Sequence, residues 1–293
     1  NMILIAGLLS FAIGFALAVL SDYLDNTVRN PRAVEEKLNQ VLIGTLPLMK
    51  VEPDDGELSE FFFSSKHGAF AEAVRTIRTS VVLSSIDKPL KTILVTSSIA
   101  GEGKTTTSMN IAYAMGQMEK VLLLDADMRR PSVAKNIGLP ARSPGLSDVM
   151  VGSIKFEECL HRHQGIDILT AGAAVPNPLE LLSSNKFRSL LKALDARYDR
   201  VIVDSAPSVP VSDSLVLANL IGGVVFVVRS DATKVPVISD GLNRLSRVKT
   251  PLLGIVLNGF SPEKNKGYGY GYGYGYGYGY GSGEGYETKD PIV

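Results

Sequence analysis

The chain has 293 residues, 45% of them apolar and 20% charged, which is ordinary for a globular α/β protein and enough for one large domain with appendages. Thirty basic and thirty acidic residues cancel, leaving no electrostatic case for nucleic acid. The lone cysteine, Cys159, excludes an intrachain disulfide, is consistent with a reduced compartment, and reads most simply as a small buried hydrophobe. At the N-terminus, Met2 to Leu20 is a run of 19 residues without a charge. As a helix it would span ~28 Å, close to the hydrocarbon thickness of a bilayer. Ala16-Leu17-Ala18 resembles a signal cleavage site, but no basic residue precedes the run and the run is long for a signal. Arg29, Arg32 and Lys37 follow closely, as on the cytoplasmic side of a span. Residues 1–20 are therefore read as a transmembrane helix, and a chain opening at Asn1 directly into a span reads as cut from something longer.

Residues 21–62 read as a juxtamembrane connector. It contains a short helix over Pro31–Leu38 with proline in its first turn, a strand over Val41–Pro47, and a turn over Pro53–Glu57. A helix follows over Ala69–Leu83, with Phe70, Val74, Ile77 and Val81 on one stripe. From Lys91 onward, short runs rich in Val, Ile and Leu alternate with amphipathic stretches. The runs are Thr92–Thr96, Val121–Leu124, Ile166–Leu169, Val201–Val203, Val224–Val228 and Leu252–Leu257; the stretches include Thr105–Met118 and Pro178–Ala196. That alternation predicts βαβ units and a doubly wound, mostly parallel α/β sheet of the P-loop NTPase class over residues 63–262.

Past Pro262 the apolar periodicity stops. Residues 263–293 hold eight of the eleven tyrosines and no aliphatic residue before Ile292, and Tyr268 to Gly281 alternates tyrosine with glycine. Glycine at every second position is costly in a strand and leaves nothing to pack, so a disordered tail is predicted. The 27 residues after Lys266 would then have a root-mean-square span of ~30 Å and a contour of ~90 Å.

Ser98-Ile99-Ala100-Gly101-Glu102-Gly103-Lys104-Thr105 carries the glycine, lysine and threonine of a phosphate-binding loop, placed between a strand and a helix. The glycines let several backbone N–H groups point inward, and the helix N-terminus adds to them. Lys104 is placed for the β- and γ-phosphates and the Thr105 hydroxyl for Mg²⁺, so Gly101, Glu102, Gly103, Lys104, Thr105 and Thr106 form the nucleotide-contacting set. Ser98 stands where glycine is usual and is small enough to leave the loop intact. Two further runs end in carboxylates, Asp125 and Asp127 after Val121–Leu124, and Asp204 after Val201–Val203. One aspartate after a strand is more often a cap or turn former. Three beside a phosphate loop point to holding magnesium's water shell or accepting a proton from an attacking hydroxyl. His161 and His163, beside Arg162, have no partner spacing for zinc and read as solvated; Tyr113 and Tyr198 read as packed within the fold.

With these pieces the chain resembles the bacterial tyrosine kinases coupled to polysaccharide polymerisation and export. The resemblance covers roughly residues 20–290. It rests on the phosphate loop, Leu124-Asp125-Ala126-Asp127-Met128-Arg129, Val203-Asp204, Asn177–Leu182, Glu72–Arg78 and the tyrosine-rich tail. It implies that Asp125 accepts the proton of the incoming tyrosine, that Asp127 and Asp204 organise Mg²⁺ with Thr105, and that ATP is the donor. It also implies that Glu72, Arg75 and Arg78 pack protomers into a ring, although that trio alone would read as a solvated face. Asn258 is taken as a contact to the adenine base. The implied acceptors are Tyr268, Tyr270, Tyr272, Tyr274, Tyr276, Tyr278, Tyr280 and Tyr286. The implied setting is the bacterial inner membrane with the kinase in the cytoplasm, beside a membrane chain-length-regulator module, with a tyrosine phosphatase resetting the tail.

Two rival readings stand beside it. A membrane-tethered ATPase switch of the partition type would hydrolyse ATP without tyrosine chemistry. Many such switches carry a lysine five residues before the catalytic one, where this chain has Ile99. Alternatively, the tail is an adhesive low-complexity segment and the nucleotide serves assembly only.

Overall fold

The structure, a computed structural model, describes residues 6–7, 10–15, 26–50, 58–84 and 90–261. The eight-stranded sheet runs in the order β1-β8-β7-β2-β6-β3-β5-β4. Its strands are β1 (Leu42–Pro47), β2 (Thr92–Ser97), β3 (Val121–Asp125), β4 (Leu160–His163), β5 (Ile166–Leu169), β6 (Arg200–Asp204), β7 (Gly223–Arg229) and β8 (Leu252–Phe260). All pairings are parallel except β4 on β5. This is the doubly wound sheet that the alternating apolar runs predict.

Alternate residues of the central strands feed opposite faces. Leu94, Leu122, Leu124, Val203, Phe226 and Val228 lie in one core; Ile93, Val95, Leu123, Ile202, Val225 and Val227 lie in the other. Burial on both faces is why these strands read as unbroken apolar runs. The first core is covered by α1 (Pro31–Leu38), α6 (Pro178–Ser183), α7 (Asn185–Arg197), α8 (Asp213–Ala218) and α9 (Val235–Ser246). The second is covered by α2 (Gly68–Leu83) and α3 (Lys104–Gly116). Short helices α4 (Val133–Asn136) and α5 (Leu146–Val151) lie in the connections after β3.

The N-terminal part of the described chain is woven into this sheet. α1 has Pro31 at its start, and Asn30 caps it, its Oδ1 accepting from Ala33 N at 2.9 Å. Within the stretch read as a connector, β1 lies parallel to β8 as the edge strand of the same sheet. α2 crosses β1 closely: a Cβ on Gly44 would come within 2.4 Å of Ile77 Cγ1, so only glycine fits there. Thr27 bridges Lys234, and Arg29 pairs with Asp231 at 3.1 Å.

Three local readings differ from the sequence expectation. The stretch 178–196 is two helices, because Ser184 takes an extended ψ of 155° and caps α7, its Oγ accepting from Phe187 N. β4, which no alternation announces, is an antiparallel edge strand of mixed polar residues. His163 is half-buried and its Nε2 meets Glu60 Oε1 at 2.7 Å, so it is not simply solvated. Tyr113 and Tyr198 are buried, as expected, and the Tyr198 hydroxyl donates to Asp167. Residues 6–7 and 10–15 are helical, and among the described residues no helix is long and apolar enough to cross a membrane. The rest of the span expected at 1–20, the turn at 53–57 and the tail at 263–293 with all its tyrosines lie outside the described residues.

Candidate active site

The site sits where the order of the parallel strands switches from one side of β2 to the other. β2 has β7 on one side and β6 on the other, and β6 in turn pairs with β3. Ligands of doubly wound sheets bind at the carboxyl ends of strands flanking such a switch point. The loop from Ser98 to Gly103 leaves β2 and enters α3 at Lys104. Gly101 and Gly103 take φ of 87° and 90°, left-handed values that glycine adopts without strain.

Strand register sets the carboxylates side by side. Asp125, the last residue of β3, is the partner of Asp204, the last residue of β6. Thr105 Oγ1 donates to Asp204 Oδ2 at 2.6 Å, and Ser108 Oγ donates to Asp204 Oδ1 at 2.9 Å. Lys104 Nζ lies 2.8 Å from Asp127 Oδ2. Asp125 accepts from Asp127 N at 3.1 Å and from Val133 N at 3.3 Å, and Asp127 accepts from Arg130 N at 3.0 Å. The loop after β3 therefore curls around its own carboxylates and hands Asp127 to the lysine.

Asp125 and Asp204 are fully buried and Asp127 is 2% exposed. Three carboxylates against one lysine is a surplus of negative charge in a low-dielectric pocket. Burial first, and then the charges of Asp204 and Asp127, holds the Asp125 carboxyl well above the usual range. Burial also raises Asp204, while Lys104 and the Thr105 hydroxyl pull it back. For Lys104 burial alone would favour the neutral amine; Asp204, Asp127 and Asp125 outweigh it and raise its pKa.

The structure thus brings together Gly101, Gly103, Lys104, Thr105, Asp125, Asp127 and Asp204. Thr106, on the first turn of α3, is half-buried. Asn258, at the end of β8, lies against the loop: its Nδ2 donates to Glu102 O at 2.8 Å. Glu72, Arg75 and Arg78 lie apart from the pocket on α2. Glu72 and Arg75 are exposed and ion-paired; Arg78 donates to Ala114 O at 3.2 Å. Sequence reasoning missed Ser108, Ser132 and Asp213. Ser108 follows Thr105 by three residues on a helix, a spacing that could have flagged it. Ser132 Oγ donates to Thr105 Oγ1 at 3.1 Å, and no spacing announces that contact. Arg129 forks onto buried Asp213 through Nε at 2.6 Å and Nη2 at 2.9 Å, tying the loop after β3 to the start of α8.

Sheet order, phosphate loop and strand-end carboxylates define a nucleotide-binding domain of the P-loop class. A family model described as "AAA domain" matches residues 90–245. The tyrosine-protein kinase YwqD of Bacillus subtilis (strain 168) is 37% identical over 201 residues, covering 68% of this chain and 84% of that protein. A putative tyrosine-protein kinase, EpsB of Ralstonia nicotianae, is 30% identical over 272 residues, covering 88% of this chain but only 36% of the relative. The kinase domain of the Escherichia coli tyrosine kinase ETK has a TM-score of 0.74 at 28% identity, over 84% of this chain and all of that one. The chain belongs to the bacterial tyrosine-protein kinases.

Proposed function

We propose that the protein transfers the γ-phosphoryl group of ATP to the tail tyrosines Tyr268 to Tyr286 of a neighbouring copy. The observation that carries this reading is that one chain holds both a buried Lys104–Asp127 and Thr105–Asp204 pocket on a phosphate loop and eight tyrosines in residues 263–293. Lys104 neutralises charge on the transferred group, and backbone N–H groups of the loop position the phosphates. Asp125 accepts the proton of the attacking phenol; a carboxyl held above its ordinary range is closer in pKa to neutral solution, as a general base requires.

Thr105, Asp127 and Asp204 would hold Mg²⁺, which when bound supplies charge neutralisation to the phosphates. The residues fit the ion: the pocket's surplus of negative charge is what a divalent cation would balance. Among the described residues no three His, Cys, Asp or Glu side chains close into a preformed cage. Magnesium needs none, because it is commonly held by one or two carboxylates plus substrate phosphates.

Glu72, Arg75 and Arg78 form the contact between copies in a ring at the bacterial inner membrane, beside a chain-length-regulator module. Each phosphate adds about −1.5 to −2 charge to the tail. The accumulated charge loosens the ring and cycles the assembly during polysaccharide export, and a tyrosine phosphatase resets it. A tether of this length places the acceptors at an effective concentration on the order of millimolar, so recognition of each tyrosine can be weak.

The test is incubation of the full chain with Mg-ATP, followed by phosphotyrosine mapping by mass spectrometry, with Lys104→Met in parallel. The expected result is phosphate on tail tyrosines that disappears in Lys104→Met. ATP hydrolysis with no phosphotyrosine would overturn the reading in favour of an ATPase switch.

A further inference from the structure

Glu102 sits between the two left-handed glycines of the phosphate loop and is 1% exposed. Its carboxylate is engaged outside the Lys104 cluster. Oε2 accepts from Ile99 N at 2.9 Å, which closes the loop on itself across four residues. Oε1 accepts from Thr233 Oγ1 at 2.7 Å and from Arg229 N at 3.4 Å, reaching the end of β7 and the segment leading into α9. The carbonyl of the same residue accepts from Asn258 Nδ2 at 2.8 Å at the end of β8. A Cβ on Gly103 would lie 2.0 Å from that Nδ2, so glycine is what lets the asparagine reach the loop.

Side chain and main chain of one residue thus tie the loop to two neighbouring strands. We infer that Glu102 is a positioning residue: through Thr233, Arg229 and Asn258 its carboxylate and carbonyl hold the phosphate loop in the geometry that receives the nucleotide, and the carboxylate itself does not touch the nucleotide. The inference rests on the reading of this loop as the ATP site.

The chemistry favours a carboxylate over any simpler brace. All the donors to it are neutral, so no opposite charge offsets its burial; burial raises the carboxyl pKa and the hydrogen bonds only partly restore it. An apolar contact would hold two elements together without that desolvation cost. What a carboxylate adds is an acceptor at both ends of one rigid plane, matched here to donors on both sides. An amide cannot do the same. Glutamine would set its NH₂ group against the Ile99 N–H or, turned over, against the Arg229 N–H, since of the donors only the Thr233 hydroxyl can turn to accept from it. The loop turn is also closed by this side chain and not by the ligand, which favours a loop formed before the nucleotide arrives.

Thr233 gives the cleanest test, because it is 3% exposed, donates to Glu102 and lies outside the phosphate loop. With the full chain we would measure the dissociation constant of a fluorescent ADP in Mg²⁺ buffer, together with KM for ATP and kcat for tyrosine phosphorylation. Thr233→Val keeps the shape and removes the hydroxyl; Thr233→Ser keeps the hydroxyl. Thr233→Val and Glu102→Gln should each weaken ADP and raise KM about tenfold, the scale of a lost hydrogen bond to a charged group, and in Thr233→Val kcat at saturating ATP should stay within about threefold of the parent. Thr233→Ser should stay within about twofold of the parent, and the double variant should bind no more weakly than Glu102→Gln alone. Wild-type affinity in Thr233→Val, or losses that multiply in the double variant, would overturn the inference. Should Glu102→Gln fail to fold, the Thr233→Val and Thr233→Ser pair decides alone. Lys104→Met separates the two levels: transfer surviving in it defeats the ATP reading itself, whereas transfer lost in it with Thr233→Val unchanged defeats only the brace.

Discussion

The strand-end pocket and the outer face of α2 are both built from ionisable side chains, and burial sets them apart. In the pocket Asp125 and Asp204 are fully buried and share one lysine with Asp127. On α2, Glu72 and Arg75 are exposed and pair with each other three residues apart. Exposed pairs of that kind contribute about 0–1 kcal/mol and cost the fold little. Clustered buried carboxylates work against the fold until something positive enters. One region therefore stores unfavourable electrostatics that a ligand can relieve, and the other is free to face a partner.

The largest effect should come from the pocket. Asp125→Asn removes the proposed proton acceptor and should lower kcat for tail phosphorylation on the order of 10²-fold or more, measured at saturating Mg-ATP. Arg129→Ala should follow, destabilising the protein by about 2 kcal/mol in urea melts because the buried Asp213 carboxylate is left without its fork.

Asp204→Asn sharpens the contrast, since it should abolish activity while raising the melting temperature of the nucleotide-free protein by about 2 °C. The Thr105 and Ser108 hydroxyls that donate to it can reorient to suit the amide. The pH sense follows from the raised pKa of Asp204. Its contribution to nucleotide-free stability is present below the ordinary aspartate range and is lost as pH rises through the folded value. Asp204→Asn should therefore gain most over the parent at neutral pH and least near pH ~4 in paired melts. A parent advantage at neutral pH would mean that the pocket is not electrostatically loaded.

The smallest effect on stability belongs to α2. Glu72→Ala and Arg75→Ala should each stay within ~0.5 kcal/mol of the parent in melts while sedimentation shows loss of the proposed ring. Arg78→Ala should cost more than either, because Arg78 also donates to Ala114 O on α3.

Much of this was legible in the chain, for physical reasons. Strands buried on both faces read as apolar runs, so the sheet and the strand ends carrying Asp125 and Asp204 could be placed from the sequence. The left-handed glycines and Lys104 marked the phosphate loop. What escaped depended on long-range contacts. β1 joins the sheet only through β8, more than two hundred residues away in the chain. The break at Ser184 is one cap inside a stretch whose helical periodicity continues across it. The loop position of Glu102 suggested a nucleotide contact, but which way its carboxylate turns is decided by Thr233 and Arg229, whose proximity no spacing announces.

The most direct test of the central claim mixes two defective forms of the protein. One is Lys104→Met with its tail intact; the other keeps Lys104 and is truncated after Lys266. Incubated together with Mg-ATP, they should produce phosphotyrosine between Tyr268 and Tyr286 of the Lys104→Met chain, while neither does so alone. A mixture without tail phosphotyrosine, in the presence of a truncated form that still binds ATP, would contradict transfer from the P-loop pocket of one copy to the tail of another.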